Sequence, residues 1–242
     1  MPYHYKVGYF FIKKKDIDGN RIIIKGSEFR HIKNVLRAHP GDPIVLISGD
    51  GDEYHACISE VKSTYISARI AKITRKSKES GIYVAIAIAP PKAKRMEWFV
   101  EKATELGVSE IIPIITKRSV VVPGSSRMSR WKRVAIAAVK QAERSVVPNI
   151  TDVVSFEEFL QTSISFTVRF IAYEKQREGM IEEILSRKKA TKILAVIGPE
   201  GGFEEREIKA AVDRGFVPVT LGTTKLRTET AGIVALSRIL AI

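Results

Sequence analysis

The chain of 242 residues is 45% hydrophobic and 28% charged, the balance of a soluble globular protein long enough for one or two packed domains. Its one cysteine, Cys57, excludes a disulfide scaffold or a cysteine-built zinc site within the chain, and the histidines (His4, His31, His39, His55) do not pair at metal-ligand spacing, so no metal is expected. The formal net charge is +13, and residues 1–76 hold 14 Lys/Arg against 8 Asp/Glu, residues 77–148 hold 13 against 6, and residues 149–242 hold 13 of each. The excess therefore lies in the first three-fifths of the chain, where it fits either a polyanion-binding surface or a solvated lysine-rich one. The opening "MPYHYKVGYFFIKKK" lacks the apolar core of a signal peptide and no later stretch has the length of a membrane span, which gives a cytoplasmic expectation.

Taken in chain order, "RIIIKG", "DPIVLIS", "DEYHACISEV" and "YISARIAKIT" are β-branched runs separated by turn chemistry, and such closely spaced short strands predict a small β-barrel. Cys57 falls in one of these alternating strands and reads as a small core residue. Between the first two runs, Phe29, Ile32 and Leu36 share one helical face that ends before Pro40 and Gly41. The polar "TRKSKESG" then marks a change of pattern, so residues 1–74 are expected to form the barrel, 75–81 a linker and 82–242 a second domain.

In that second domain "IYVAIAIA" reads as a strand covered on both faces. A helix follows with an apolar stripe of Met96, Phe99, Val100, Ala103 and Leu106, capped at Gly107. "IIPII" is a strand in which Pro113 requires an edge or a bulge. "RWKRVAIAAVKQAERSVV" is a long helix stopped by Pro148, and Ser155 with Glu158 opens another by a capping box. "VRFIAYE", "KILAVIG" and "VPVTLG" complete an alternation of strands and helices that predicts an α/β domain with a mostly parallel sheet. Ligands in such domains bind beyond the carboxyl ends of the strands, which brings together the loops "YEKQRE", "GPEGGF" and "GTTKLRTETAG".

The glycine turn has neither the lysine and hydroxyl of a phosphate loop nor the spacing of a dinucleotide fingerprint, and no "GxSxG" elbow exists. In the second loop Arg227, Glu229 and Thr230 crowd the start of an apolar helix, where Thr228 as N-cap and Glu229 in the first turn offer a purely structural reading. Two glycine- and carboxylate-bearing loops at neighbouring strand ends point instead to a site.

"IGPEGGFEEREI" together with "LGTTKLRTETA" resembles the motif pair of the RsmE family of the SPOUT superfamily, methyltransferases that use S-adenosyl-L-methionine to methylate N3 of a uridine in small-subunit (16S) ribosomal RNA. "HIKNVLRAHPGD", "KRMEWFVEKATELGV" and "KQAERSVVPNI" resemble its remaining blocks in the same order, so the likeness covers nearly the whole chain. It implies a C-terminal SPOUT domain with a deep trefoil knot, an N-terminal PUA-like barrel that binds RNA, a homodimer, and a substrate in the decoding region of the assembled 30S subunit. By motif it implies a cofactor pocket with Gly198, Pro199, Glu200, Gly201 and Gly202 on one wall and Leu221, Gly222, Leu226, Arg227, Glu229 and Thr230 on another, with Tyr173 and Ile197 at adjoining strand ends.

Uridine N3 must lose a proton, so a base and a stabiliser of negative charge are expected. Glu229 or Glu200 is the expected proton acceptor and Arg227 the residue facing the uracil; the plainer alternative is an Arg227–Glu229 salt bridge that shapes the loop. The expected RNA contacts are Arg30, His31, Arg37, Lys92, Lys94, Arg95, Lys140 and Arg144. Rival readings are a SPOUT enzyme acting on another nucleotide or a ribose hydroxyl, and a non-catalytic RNA-binding assembly factor.

Overall fold

The computed structural model describes residues 8–75, 79–92, 94–186 and 190–241. The chain forms two compact units, Met1–Glu79 with Ile136–Val147, and Ser80–Ala135 with Pro148–Ile242.

The first unit contains strands β1 (Tyr9–Phe11), β2 (Ile17–Asp18), β3 (Arg21–Ile24), β4 (Pro43–Ile47), β5 (Asp52–Val61) and β6 (Ile66–Arg75), joined in the order β1-β4-β5-β6-β3-β2. Phe10 and Ile12 at one end of that order and Ile17 at the other belong to the same apolar cluster as Ile22, Leu46 and Ile58, so the sheet curls around one core as a barrel-like layer. Cys57, expected in that core, is exposed: its neighbours Ala56 and Ile58 take the inward positions, and strand alternation turns Cys57 out. The helical segment is α1 (Gly26–Arg30) followed by a π turn over His31–Val35, closed by the Leu36 amide donating to the His31 carbonyl at 3.1 Å. The wider turn rotates the face, so Ile32 is buried while Leu36, expected beside it, is exposed.

Residues 136–147 were expected in the C-terminal domain, but they group with the first unit. Arg144 donates to both carboxylate oxygens of Glu79 (3.2 and 2.6 Å), Lys140 Nζ lies 2.7 Å from Glu28 Oε1, and the Val147 amide donates to the Gly49 carbonyl at 2.9 Å. Of the expected linker, 76–78 lie outside the described residues, Arg75 ends β6, and Glu79 is the partner of Arg144.

The second unit is built on strands β7 (Tyr83–Ile88), β8 (Glu110–Ile115), β9 (Asn149–Ile150), β10 (Val154–Ser155), β11 (Val168–Ala172), β12 (Lys192–Ile197) and β13 (Val217–Val219). All pairings are parallel in the order β10-β8-β7-β12-β11-β13, with β9 also on β8. The central strands β7 and β12 are apolar and buried along almost their whole length, as expected of a sheet covered on both faces. Pro113 is not on an edge strand. It falls where β9, paired to 110–111, gives way to β10, paired to 114–115, so its missing amide coincides with a break in the ladder.

Helices α2 (Arg95–Leu106), α3 (Ser125–Gln141), α4 (Phe156–Thr162), α5 (Ile181–Leu185), α6 (Glu205–Asp213) and α7 (Thr228–Leu240) complete the chain. Met96, Phe99, Val100 and Ala103 of α2 are buried and Gly107 closes it at φ +111°, but Leu106, at the last turn, is exposed. Ser155 Oγ accepts from the Glu158 amide at 3.2 Å, the N-cap half of the expected box. Helix α7 packs on β12, β7 and α2. Its approach to α2 requires glycine at 232, because a Cβ there would lie 2.5 Å from Phe99 Cε2. Gly232→Ala is accordingly expected to destabilise the protein by about 1–3 kcal/mol through overpacking, read as a lower midpoint in thermal or urea unfolding; an unchanged midpoint would contradict this packing.

Candidate active site

Strand β11 lies between β12 and β13, with Ile171 opposite Val196 and Ala172 opposite Val219. The three strands therefore release their chains at one level and in one direction. Their loops surround a cavity of about 350 Å³ lined by Ala172–Glu174 and Arg177, by Ile197–Glu200 with Gly202 and Phe203, and by Thr220–Leu226 with Thr228 and Ala231.

The first wall is held by its glycines. Gly202 adopts φ +69°, and a Cβ there would meet the Glu174 carboxylate at 2.7 Å. A Cβ on Gly198 would lie 2.9 Å from the Phe203 ring that backs the loop. The second wall turns at Gly222, φ +132°, where Thr220 Oγ1 both accepts from the Gly222 amide (3.3 Å) and donates to its carbonyl (3.2 Å). The two walls are tied together by Thr228, whose buried hydroxyl donates to the Gly198 carbonyl at 3.0 Å. Thr228 is thus not the N-cap of α7. Arg227 holds that position with extended backbone, and the threonine hydroxyl is spent on the neighbouring loop.

Of the residues expected around a cofactor, Tyr173, Ile197, Gly198, Pro199, Glu200, Gly202, Leu221, Gly222 and Leu226 line the cavity. Gly201 and Thr230 do not. The Gly201 carbonyl is turned to Arg118, whose Nη1 donates to it at 2.8 Å. On α7 it is Thr228 and Ala231, three residues apart, that share the cavity face, which rotates Thr230 away. The lining also includes Glu174, Arg177, Phe203, Thr220, Thr223, Thr224, Lys225 and Ala231. The sequence flagged all three loops but assigned only motif positions within them. An apolar floor under a rim with carboxylates, cations and hydroxyls suits a small molecule that joins a flat ring to charged ends.

Two of the three expected chemical residues, Glu200 and Glu229, converge on Arg95, which was expected to contact RNA. Arg95 lies 3.4 Å (Nη1) from Glu200 Oε1 and 3.8 Å (Nε) from Glu229 Oε1. Glu200 lines the cavity, whereas Glu229 and Arg227 do not. Glu229 is buried in the first turn of α7, and its Oε2 has no hydrogen-bond partner among the described residues. The carboxylate thus pairs with Arg95, not with the exposed Arg227. Beside the first wall, Glu205 and Lys175 pair at 2.7 Å, an exposed bond that holds the ammonium above its usual range and the carboxylate below its own.

Among the expected RNA contacts, Arg30, His31, Arg37, Lys92 and Lys94 are exposed. Arg144 is not available: it is 4% exposed and committed to Glu79. Lys140 is likewise occupied by Glu28.

Residues 78–240 match the model of an RNA methyltransferase domain, and residues 24–71 that of an RNA methyltransferase PUA domain. The chain is 36% identical over 225 residues to the ribosomal RNA small subunit methyltransferase E of Bacillus subtilis (strain 168), covering 89% of this chain and 88% of that one. A crystal structure of a ribosomal RNA small subunit methyltransferase E from Neisseria gonorrhoeae bound to S-adenosyl methionine superposes with a TM-score of 0.88 at 29% identity, covering 97% of each chain. A putative methyltransferase from Legionella pneumophila, solved with the bound cofactor SAM, gives 0.84 at 29% identity and the same 97% coverage of both chains.

The tie between the two walls is testable without a ligand. Thr228→Val keeps the volume but strands the Gly198 carbonyl, and is expected to cost about 1–3 kcal/mol, seen as a lower melting midpoint that Thr228→Ser restores. Equal midpoints for all three proteins would show the bond to be dispensable.

Proposed function

The chain belongs to the ribosomal RNA small subunit methyltransferase E family and is an S-adenosyl-L-methionine-dependent ribosomal RNA methyltransferase; from that premise we propose that it methylates N3 of a uridine in the decoding region of the assembled 30S subunit. One observation carries the reading: a glycine-walled cavity at three strand ends, with a buried carboxylate oxygen lacking a donor just beyond its rim.

The cavity fits the cofactor. Gly222, where a Cβ would meet nothing within 4 Å, leaves backbone open to an adenine ring, with Ile197, Leu221 and Leu226 as apolar cover, while Gly198 and Gly202 let Phe203 and Glu174 close on the first wall. Glu174 and Glu200 would face cationic groups, and Arg177 and Lys225 a carboxylate. When bound, the cofactor supplies an electrophilic methyl carbon on a sulfonium.

The chain's own contribution is to place the uridine and manage its proton. N3 of uracil carries a weakly acidic hydrogen, and Glu229 is the group we assign to accept it, directly or through one water, at Oε2. Arg95, ion-paired on one side with Glu229 and on the other with Glu200, sets the spacing between that base and the cofactor wall. Arg227, exposed at the mouth of α7, faces the uracil oxygens as negative charge develops. A carbon-5 product would call for a cysteine nucleophile, and Cys57, on β5, is not among the residues lining the cavity. Exposed Arg30, His31, Arg37, Lys92 and Lys94 are the proposed phosphate contacts.

Two further features of the family are proposed for this chain. Strand β13 sits at the sheet edge beside β11, yet the next helix, α7, packs on β12, β7 and α2; that return across the sheet supports a C-terminal trefoil knot. Exposed Trp98 and Leu106 on α2 support a homodimer. No described helix is long and apolar enough to cross a membrane, and a cytoplasmic site of action is proposed.

The reading is tested by incubating the protein with unmodified small subunits and methyl-labelled cofactor and mapping the product by mass spectrometry. A single N3-methyluridine is expected; a ribose-methylated or non-uridine product would overturn it. Glu229→Gln is expected to lower turnover by about 10²–10⁴-fold and Arg227→Ala by about 100-fold, with cofactor affinity by calorimetry little changed. Unaltered turnover would remove either residue from the mechanism.

A further inference from the structure

A second cavity of about 230 Å³ lies in the same unit, and of its lining only Lys94 has a role above, as one of the proposed phosphate contacts. Its apolar wall is Pro91, Val121 and the buried indole of Trp131, and its polar rim is Lys94, Arg127, Arg130 and Glu97. Arg130 Nη2 is bonded to Glu97 Oε2 at 2.9 Å, so that pair is internally neutralised. Lys94 and Arg127 have no ion-pair partner among the described residues. The cavity thus presents two uncompensated cations beside a hydrophobic wall.

Arg127 does not serve the helix that carries it. Over 125–141, α3 has five Lys/Arg and no Asp/Glu, and Arg127 stands in its first turn, where the backbone dipole favours acidic side chains. Such a distribution is unfavourable for the free protein and is relieved by an anion. Its place in the fold indicates which anion: Lys94 immediately precedes Arg95, which contacts Glu200 on the rim of the first cavity. The lining of the second cavity is thereby one residue along the chain from the cation that pairs with the wall of the first.

We propose that this cavity is a phosphodiester site of the RNA substrate. A backbone phosphate close to the target uridine sits between Lys94 and Arg127, its ribose lies against the wall of Pro91, Val121 and Trp131, and the Arg130–Glu97 pair holds the rim in place. The contact positions the strand and carries no base specificity. This inference rests on the reading of the protein as an RNA methyltransferase.

The test measures binding of a fluorescent single-stranded, uridine-containing RNA by anisotropy across a range of potassium chloride, for the wild type, the double variant Lys94→Ala/Arg127→Ala, and the charge-keeping Arg127→Lys. One lost phosphate contact on a single strand reduces the slope of log affinity against log salt by ~0.7. The double variant is expected to show a slope shallower by about that amount and an affinity about tenfold lower at low salt, while Arg127→Lys retains the wild-type slope. Cofactor affinity by calorimetry stays within about twofold in all three, because neither residue lines the first cavity. Slopes and affinities equal to wild type in the double variant, or no RNA binding by the wild type, would overturn the proposal. Methyl transfer to small subunits, measured in parallel on the wild type, separates the two readings. Absent transfer with the expected slope change sinks the enzymatic reading alone, and transfer with unchanged slopes sinks the phosphate site alone.

Discussion

The bond from the Thr228 hydroxyl to the Gly198 carbonyl is the constraint on which the rest of the site depends. It fixes the start of α7 against the end of β12, and so decides at once where the second wall of the cavity lies and where Glu229 points. One residue further along the helix, about 100° of rotation carries Glu229 off the cavity face and towards Arg95. The second wall of the cavity and the proposed base are thereby set by one short segment, and the close contact of Gly232 with Phe99 holds that segment against α2.

The distribution of charge follows the same logic. Arg95 stands between Glu200, which lines the cavity, and Glu229, which does not. Two carboxylates near one guanidinium leave one oxygen of Glu229 without a donor, the property a proton acceptor needs. On the other side, the net positive charge of the chain divides into cations that hold the fold together, such as Arg144 on Glu79, and cations left open, such as Lys94 and Arg127. Net charge alone could not make that division, because it is decided by which carboxylates the fold brings within reach.

Much of this was legible in the residues. Continuous apolar runs gave the central strands β7 and β12, the alternation of strand and helix gave the parallel sheet, and the rule that ligands sit beyond the carboxyl ends of strands brought the three loops together. What was missed is long-range or geometric. The π turn that exposes Leu36, the alternation that turns out Cys57, and the return of 136–147 to the first unit depend on local winding or on partners more than sixty residues away, such as Glu79 for Arg144. Within the site, Glu174, Arg177 and Lys225 lie in loops the sequence had marked, yet no periodicity says which loop side chains face inward. Thr228 was read as a cap because caps are local, and its bond instead spans thirty residues to Gly198.

The central claim is that three strand-end loops act as one cofactor pocket. Amide hydrogen exchange with and without S-adenosyl-L-methionine tests it most directly. The account predicts that the cofactor protects 173–177, 198–203 and 220–230 together while leaving the strands of the first unit unchanged. Protection confined to a single loop, or appearing in the first unit instead, would contradict it.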